Sequence, residues 1–266
     1  MRISLWCAAV LCCGVSAMVA QTQSPGSARS LCIKVLPGKD ADFRKLIADV
    51  TKPATQARAD AGEVNLRIFM RSVFPAGTEA VCDYSLIDVY PGFPPDPKTT
   101  LTAEAAYAKG HVAMKPSEFA TQRDAASRLR KTELWRVRDV LGSPATGNYL
   151  RQNFVKVAPE NRAAWLKLEQ ETFKPVHQAR MDSGAFKGWA LLLLAMPSGS
   201  AQPYDAMTVD IYKDWASIDA PSKYDEAFKK VGKAAMDPAF AEAAKLRGAF
   251  VRTELYEVLD VIRPAR

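Results

Sequence analysis

Histidine is scarce in this chain, with two in 266 residues, His111 and His177. There is no His-Glu-x-x-His, no Cys-x-x-Cys and no histidine cluster, which argues against a dedicated zinc site and predicts no metal centre other than haem. The P-loop and Gly-x-Gly-x-x-Gly are missing too, so nucleotide binding has no support. Gly-x-Ser-x-Gly is absent, and with it the hydrolase elbow. Beyond the N-terminus no apolar run is long enough to span a bilayer; Trp189 to Met196 is strand-sized. A hydrophobic content of 48% excludes disorder as the main architecture, and 14 Gly and 17 Pro are too few for collagen or a low-complexity tract.

The first segment that is present reads as an address. Met1 to Gln21 carries one charge, Arg2, then an apolar run from Ile3 to Val19 and small residues at Ser16, Ala17 and Ala20. That layout predicts a signal peptide over residues 1–20, cleaved after Ala17 or Ala20, and a periplasmic or secreted chain that leaves the membrane once cleaved. Cys12 and Cys13 follow large residues, unlike a lipid-attachment site. Cys7, Cys12 and Cys13 depart with the leader, leaving Cys32 and Cys82. The net charge of +7 is densest from Arg123 to Arg138. That stretch reads as a solvated helix face and strand edge, and no nucleic-acid partner is expected.

The chain repeats itself. Lys52-Pro53-Ala54-Thr55-Gln56-Ala57-Arg58 matches Lys174-Pro175-Val176-His177-Gln178-Ala179-Arg180. At the same offset Asp60 and Gly62 match Asp182 and Gly184, and Asp83, Asp88 and Tyr90 match Asp205, Asp210 and Tyr212. Thr132-Glu133-Leu134 then matches Thr253-Glu254-Leu255, and Asp139-Val140 matches Asp260-Val261, with the offset changed by one. An ungapped run of this length marks a tandem duplication. Residues 29–142 form one repeat and 148–263 the other.

Each copy predicts the same elements. A β-branched run opens it (31–36; 149–157), then an amphipathic helix (40–61; 160–183) kinked at Pro53 or Pro175 and stopped by Gly62 or Gly184. Two strands follow (64–73 and 81–90; 186–196 and 204–212). A helical region broken near Pro116 or Pro238 leads to a last strand (132–140; 253–261). The fold class is therefore α+β: two tandem ferredoxin-like β-α-β-β-α-β repeats packed sheet to sheet, a pseudo-dimer within one chain. Exposed edges would leave a homodimer open.

This order, the duplication and the recurring Lys-Pro-x-x-Gln-Ala-Arg and Thr-Glu-Leu-aromatic segments resemble the dimeric α/β-barrel superfamily. That group includes antibiotic-biosynthesis monooxygenase-like, haem-degrading and chlorite dismutase-like proteins. The resemblance implies fold rather than one activity. It also implies two site types: a helix histidine as haem ligand, or Asn, His and Trp around a pocket, for which the second repeat offers Asn153, His177 and Trp189.

Strand alternation predicts that Ile87, Val89, Met207, Val209 and Ile211 pack under helices. Tyr84, Asp88, Tyr90, Tyr204, Asp210 and Tyr212 would then point between the sheets, joined by Trp135 and Tyr256. Such a lining suits a small apolar ligand. Asp210 and His177 are the candidate catalytic bases. Cys32 and Cys82, placed near the beginnings of antiparallel neighbours, are expected as separate buried thiols. The leading expectation is an exported module that binds a small molecule between its sheets without a cofactor. The alternative is a cofactor-independent monooxygenase-like enzyme, and the third a haem-binding protein.

Overall fold

The computed structural model describes residues 26–184, 186–232 and 236–265. The segment expected to be a signal peptide, with Cys7, Cys12 and Cys13, lies outside them. Eight strands form one closed antiparallel barrel in the order β1-β3-β2-β8-β5-β7-β6-β4. The first half supplies β1 (Ser27–Val35), β2 (Leu66–Phe74), β3 (Tyr84–Tyr90) and β4 (Ser127–Gly142). The second supplies β5 (Tyr149–Val155), β6 (Gly188–Met196), β7 (Ala206–Tyr212) and β8 (Arg252–Ile262). The last strand of each half pairs with the second strand of the other, β4 with β6 and β8 with β2. These two seams close the barrel and leave no open strand edge among the described residues.

Helices cover the outside. The long helix of the first half is α1 (Asp40–Leu46), a π-turn (Ile47–Thr51) and α2 (Lys52–Asp60), followed later by α3 (Ala103–Lys109) and α4 (Pro116–Ala126). The second half repeats this with α5 (Arg162–Leu168), a π-turn (Glu169–Phe173) and α6 (Lys174–Asp182). Three further helices follow, α7 (Trp215–Asp219), α8 (Tyr224–Lys230) and α9 (Met236–Arg247). The kinks expected at Pro53 and Pro175 take the form of these π-turns. Each proline lacks an N–H and crowds the carbonyl four residues back, and the widened turn just upstream accommodates it. The Lys52 and Lys174 amides donate instead to the carbonyls of Ile47 and Glu169. Gly62 and Gly184 end the helices at φ of +77° and +75°, where a Cβ is disfavoured.

The repeated segments now have physical roles. Lys52 pairs with Asp260 at 2.6 Å and Lys174 with Asp139 at 2.7 Å, so each motif lysine bonds to the opposite half. Gln56 and Gln178 donate to Asp60 and Asp182 one turn on. Asp83 and Asp205 accept the backbone N–H of Val35 and Val157 and pin the end of the first strand of each half.

Two expectations need correction. First, the faces of β3 and β7 are the reverse of those inferred. Ile87, Val89, Met207, Val209 and Ile211 fill the barrel interior with Trp135, Phe154, Leu192 and Tyr256. Tyr84 and Leu86 pack outward against Phe43 and Leu46, and Ala206 and Tyr212 against Trp165. Trp135, Tyr204 and Tyr256 do point between the sheets as expected, whereas Tyr84, Asp88, Tyr90, Asp210 and Tyr212 lie on the outer face under the helices. The interior is consequently full: the space beside Glu133, Trp135 and Tyr256 is about 30 Å3, room for roughly one water. An organic ligand between the sheets does not fit.

Second, Cys32 and Cys82 form a disulfide with Cα atoms 5.1 Å apart. β1 begins at Ser27, earlier than its β-branched core indicates, so Cys32 lies inside the strand opposite Ser85 rather than at its start. Cys82 just precedes β3, within reach. At the corresponding positions the second half has Phe154 and Tyr204, whose rings lie 4.7 Å apart. A covalent bridge in one half thus stands where an aromatic pair stands in the other.

Candidate active site between helices and sheet

Each half encloses a cavity between its helices and the outer face of the barrel. The second is about 400 Å3 and lies against α6, α9 and strands β5 to β8. Five of the residues singled out from sequence meet there: Asn153, His177, Trp189 and Asp210 line it, and Tyr212 backs Arg151 at 5.3 Å from its guanidinium. Trp135, Tyr204 and Tyr256 sit instead in the barrel. Trp135 stacks on Tyr204 at 6.0 Å, and the Tyr204 and Tyr256 hydroxyls donate to Glu133 and Glu254. Tyr84, Asp88 and Tyr90 belong to the outer face of the first half, Tyr84 stacking on Phe69 and donating to Asp40. His111 is exposed at the end of α3 and joins neither cavity.

Asp210 is buried at one end of the second cavity. Arg151 donates to its Oδ2 from Nε and Nη2 at 3.1 and 2.7 Å, and Asn153 Nδ2 reaches the same oxygen at 3.3 Å. Thr253 in turn donates to Asn153 Oδ1 and orients the amide. The acid expected to act as a base is therefore an ion-paired anchor for Arg151.

His177 is sandwiched between Phe186 and Trp189, both ring centroids 5.3 Å away. Arg180 Nη1 donates to its Nδ1 at 3.0 Å. A guanidinium has no acceptor, so Nδ1 holds the lone pair and the ring proton sits on Nε2. Burial drives the imidazole down to about 3; the Arg180 and Arg151 charges push the same way and the Asp210 charge pulls against them. His177 is thus a neutral donor rather than a base. Arg180 is itself buried between Phe186 and Tyr224, 4.1 and 3.9 Å from their rings, and makes no ion pair among the described residues.

Sequence reading missed Glu169. It begins the π-turn, and its side chain lines the cavity although the residue is buried. Burial raises its carboxyl to about 7; Arg247 opposes this and the Asp210 charge adds to it. The Trp165 indole also favours the ionised form, without reaching hydrogen-bond geometry. Phe173 and Phe240 supply apolar walls. One cavity is thus lined by a carboxyl raised toward neutrality, a neutral N–H donor and a fixed guanidinium, the components of proton transfer to and from a bound molecule.

The halves differ at these positions. Where the second has Asn153, Glu169, His177 and Trp189, the first has Leu31, Ile47, Thr55 and Arg67.

No family model matches the chain, and no curated protein matches it in sequence. Solved structures match in shape. A proposed monooxygenase from Fusobacterium nucleatum subsp. nucleatum is 9% identical, with 90% of this chain and 95% of that one covered and a TM-score of 0.57. A second proposed monooxygenase, from Lactobacillus acidophilus, is 11% identical over 90% and 98% of the chains, with a TM-score of 0.49. A heme-degrading enzyme from Listeria monocytogenes is 11% identical over 86% and 99%, with a TM-score of 0.36. Only the first is close enough to carry an argument, and at that identity it speaks for the fold alone: a ferredoxin-like α+β barrel.

The residues do not fit a histidine-ligated haem. An iron-bound imidazole gives its lone pair to the metal and its other N–H to an acceptor. In His177 the nitrogen beside Arg180 holds the lone pair and meets only a donor. No group of three or more His, Cys, Asp or Glu side chains is arranged for a metal among the described residues.

Proposed function

We propose that the protein is a small-molecule enzyme of the monooxygenase-like kind, with its active site in the second-half cavity. The observation that carries this is Glu169: a buried carboxyl poised near neutrality in a cavity of organic-ligand size. The substrate is a compact molecule with a flat apolar body, held against Trp189, Phe173 and Phe240, and bearing a weakly acidic proton. Glu169 takes the proton. The His177 Nε2–H and Arg151 stabilise the developing oxyanion, which a neutral imidazole does without protonating it. A substrate deprotonated in this way is electron-rich enough to react with dioxygen without a bound cofactor.

Oxygen uptake across a panel of small dihydroxy-aromatic compounds tests the reading. Glu169→Gln should lower turnover at least a hundredfold while changing substrate affinity only a few-fold, since removing a general base typically costs about 10²–10⁴. Equal turnover in the variant would reject Glu169 as the base. Tight binding with no turnover by the native protein would favour the second reading, a binding module that uses the same cavity.

We also infer export. The Met1–Gln21 layout and the Cys32–Cys82 bridge both support an oxidising compartment. No helix among the described residues is long and apolar enough to cross a membrane.

A further inference from the structure

The first-half cavity has diverged in charge. It encloses about 360 Å3, lined by Arg29, Arg58 and Arg67 together with Tyr90 and Tyr107. Arg67 stands where the second half has Trp189, and this changes the balance of donors around the repeated aspartate. In the second half Asp210 accepts both Nε and Nη2 of its single arginine. In the first, Asp88 is fully buried and receives Arg67 Nε at 2.5 Å, Arg67 Nη2 at 2.9 Å and Arg29 Nη2 at 2.7 Å. Burial disfavours its ionisation, but the two guanidiniums more than offset that and hold the carboxyl below its usual range.

With Asp88 engaged in this way, Arg29 Nε is buried without a partner among the described residues. Its counterpart Nε in Arg151 is bonded. Arg58 spends Nη1 on Glu63 at 2.7 Å, and the other Glu63 oxygen accepts the Leu101 amide. Three guanidiniums therefore meet two carboxylates, an excess of one positive charge. A surplus positive charge beside the cavity favours a monoanion as its occupant. Tyr107, Phe119, Pro94, Pro95 and Pro97 supply an apolar wall, and Thr51, Thr55 and Thr100 add hydroxyls elsewhere in the lining.

We propose that the first-half cavity is a second ligand site, which takes a small aromatic carboxylate. The carboxylate lies against Arg29 and Arg58, whose planar forks match it, and the ring lies along Tyr107 and the proline segment. A dianion such as phosphate would leave a buried negative charge uncompensated and the apolar wall unused. This site does not depend on the proton-transfer chemistry of the other half, so either reading can fail alone.

Calorimetric titration of the full chain at pH 7 with benzoate, and with benzamide as its neutral isostere, tests the proposal. Benzoate should bind one to one and at least tenfold more tightly than benzamide. Arg58→Met should weaken benzoate at least tenfold, and Glu169→Gln, in the other cavity, should leave it within twofold. Equal binding of the two probes, no binding of benzoate, or loss on Glu169→Gln instead of Arg58→Met would overturn the site. A crystal soaked in 4-iodobenzoate decides the same point without any variant. Iodine between Tyr107 and the proline segment supports the assignment, and iodine elsewhere or nowhere refutes it.

Discussion

Glu169 and His177 share one cavity and titrate in opposite senses. Folding raises Glu169 from about 4.5 to about 7. Its contribution to stability is complete below about pH 4.5 and is lost as pH rises toward 7, a change on the order of 3 kcal/mol. Folding lowers His177 from 6.5 to about 3. Its contribution is complete above 6.5 and is lost as pH falls toward 3. From about pH 4.5 to 6.5 the two slopes oppose each other, and denaturant unfolding of the native chain should give a nearly level profile there. Glu169→Gln should expose a steady loss of stability on acidification through that window; a variant profile as level as the native one would contradict the assignment. Asp88 adds its own loss only at more acidic pH. The sequence held a signal for Glu169: it is an acid on the apolar stripe of the helix, where the first copy has Ile47. Comparing the copies for what they do not share, instead of what they do, would have found it. Asp210 and His177 drew notice as titratable groups. Their roles as anchor and donor depend on Arg151 and Arg180, and no spacing rule brings those pairs together.

At the scale of elements, strand and helix order was legible because each copy confirms the other. What stayed hidden was detail set by packing. Alternation shows that β3 and β7 have two unlike faces, but both faces are largely buried and carry apolar residues, so period alone does not say which one turns inward. The disulfide is hidden in the sequence for a similar reason. Ser27 to Ser30 lack β-branched residues yet extend β1 along β3 and β4, which moves Cys32 four rungs from where a β-branched start would put it. The bridge closes a separation of 50 residues. Loop-closure arguments put its worth near 4 kcal/mol at most, with about 2 kcal/mol as a common lower outcome. Reduction should therefore lower the unfolding free energy extrapolated from a denaturant series by that amount. No shift on reduction would mean the bridge merely decorates a region already held by its neighbours.

For the whole molecule, the duplication foretold the architecture, because a sheet bare on one face needs a partner and the second copy supplies it. Closure through β2–β8 and β4–β6, reinforced by the crosswise Lys52–Asp260 and Lys174–Asp139 pairs, binds the halves more closely than face-to-face packing would. Residues 26–144 produced alone would expose two unpaired strand edges and the inner apolar face. Such a fragment should appear in light scattering as a homodimer or larger, and a folded monomer would contradict the role given to the seams.

Having both lobes in one polypeptide frees them from identity. In an assembly of two products of one gene, every substitution is made twice, and a change that suits one chamber is imposed on its twin. Here Arg67 and Trp189 occupy equivalent places and never meet that constraint. A protein built this way can keep one chamber for chemistry and turn the other to a separate task without a second gene.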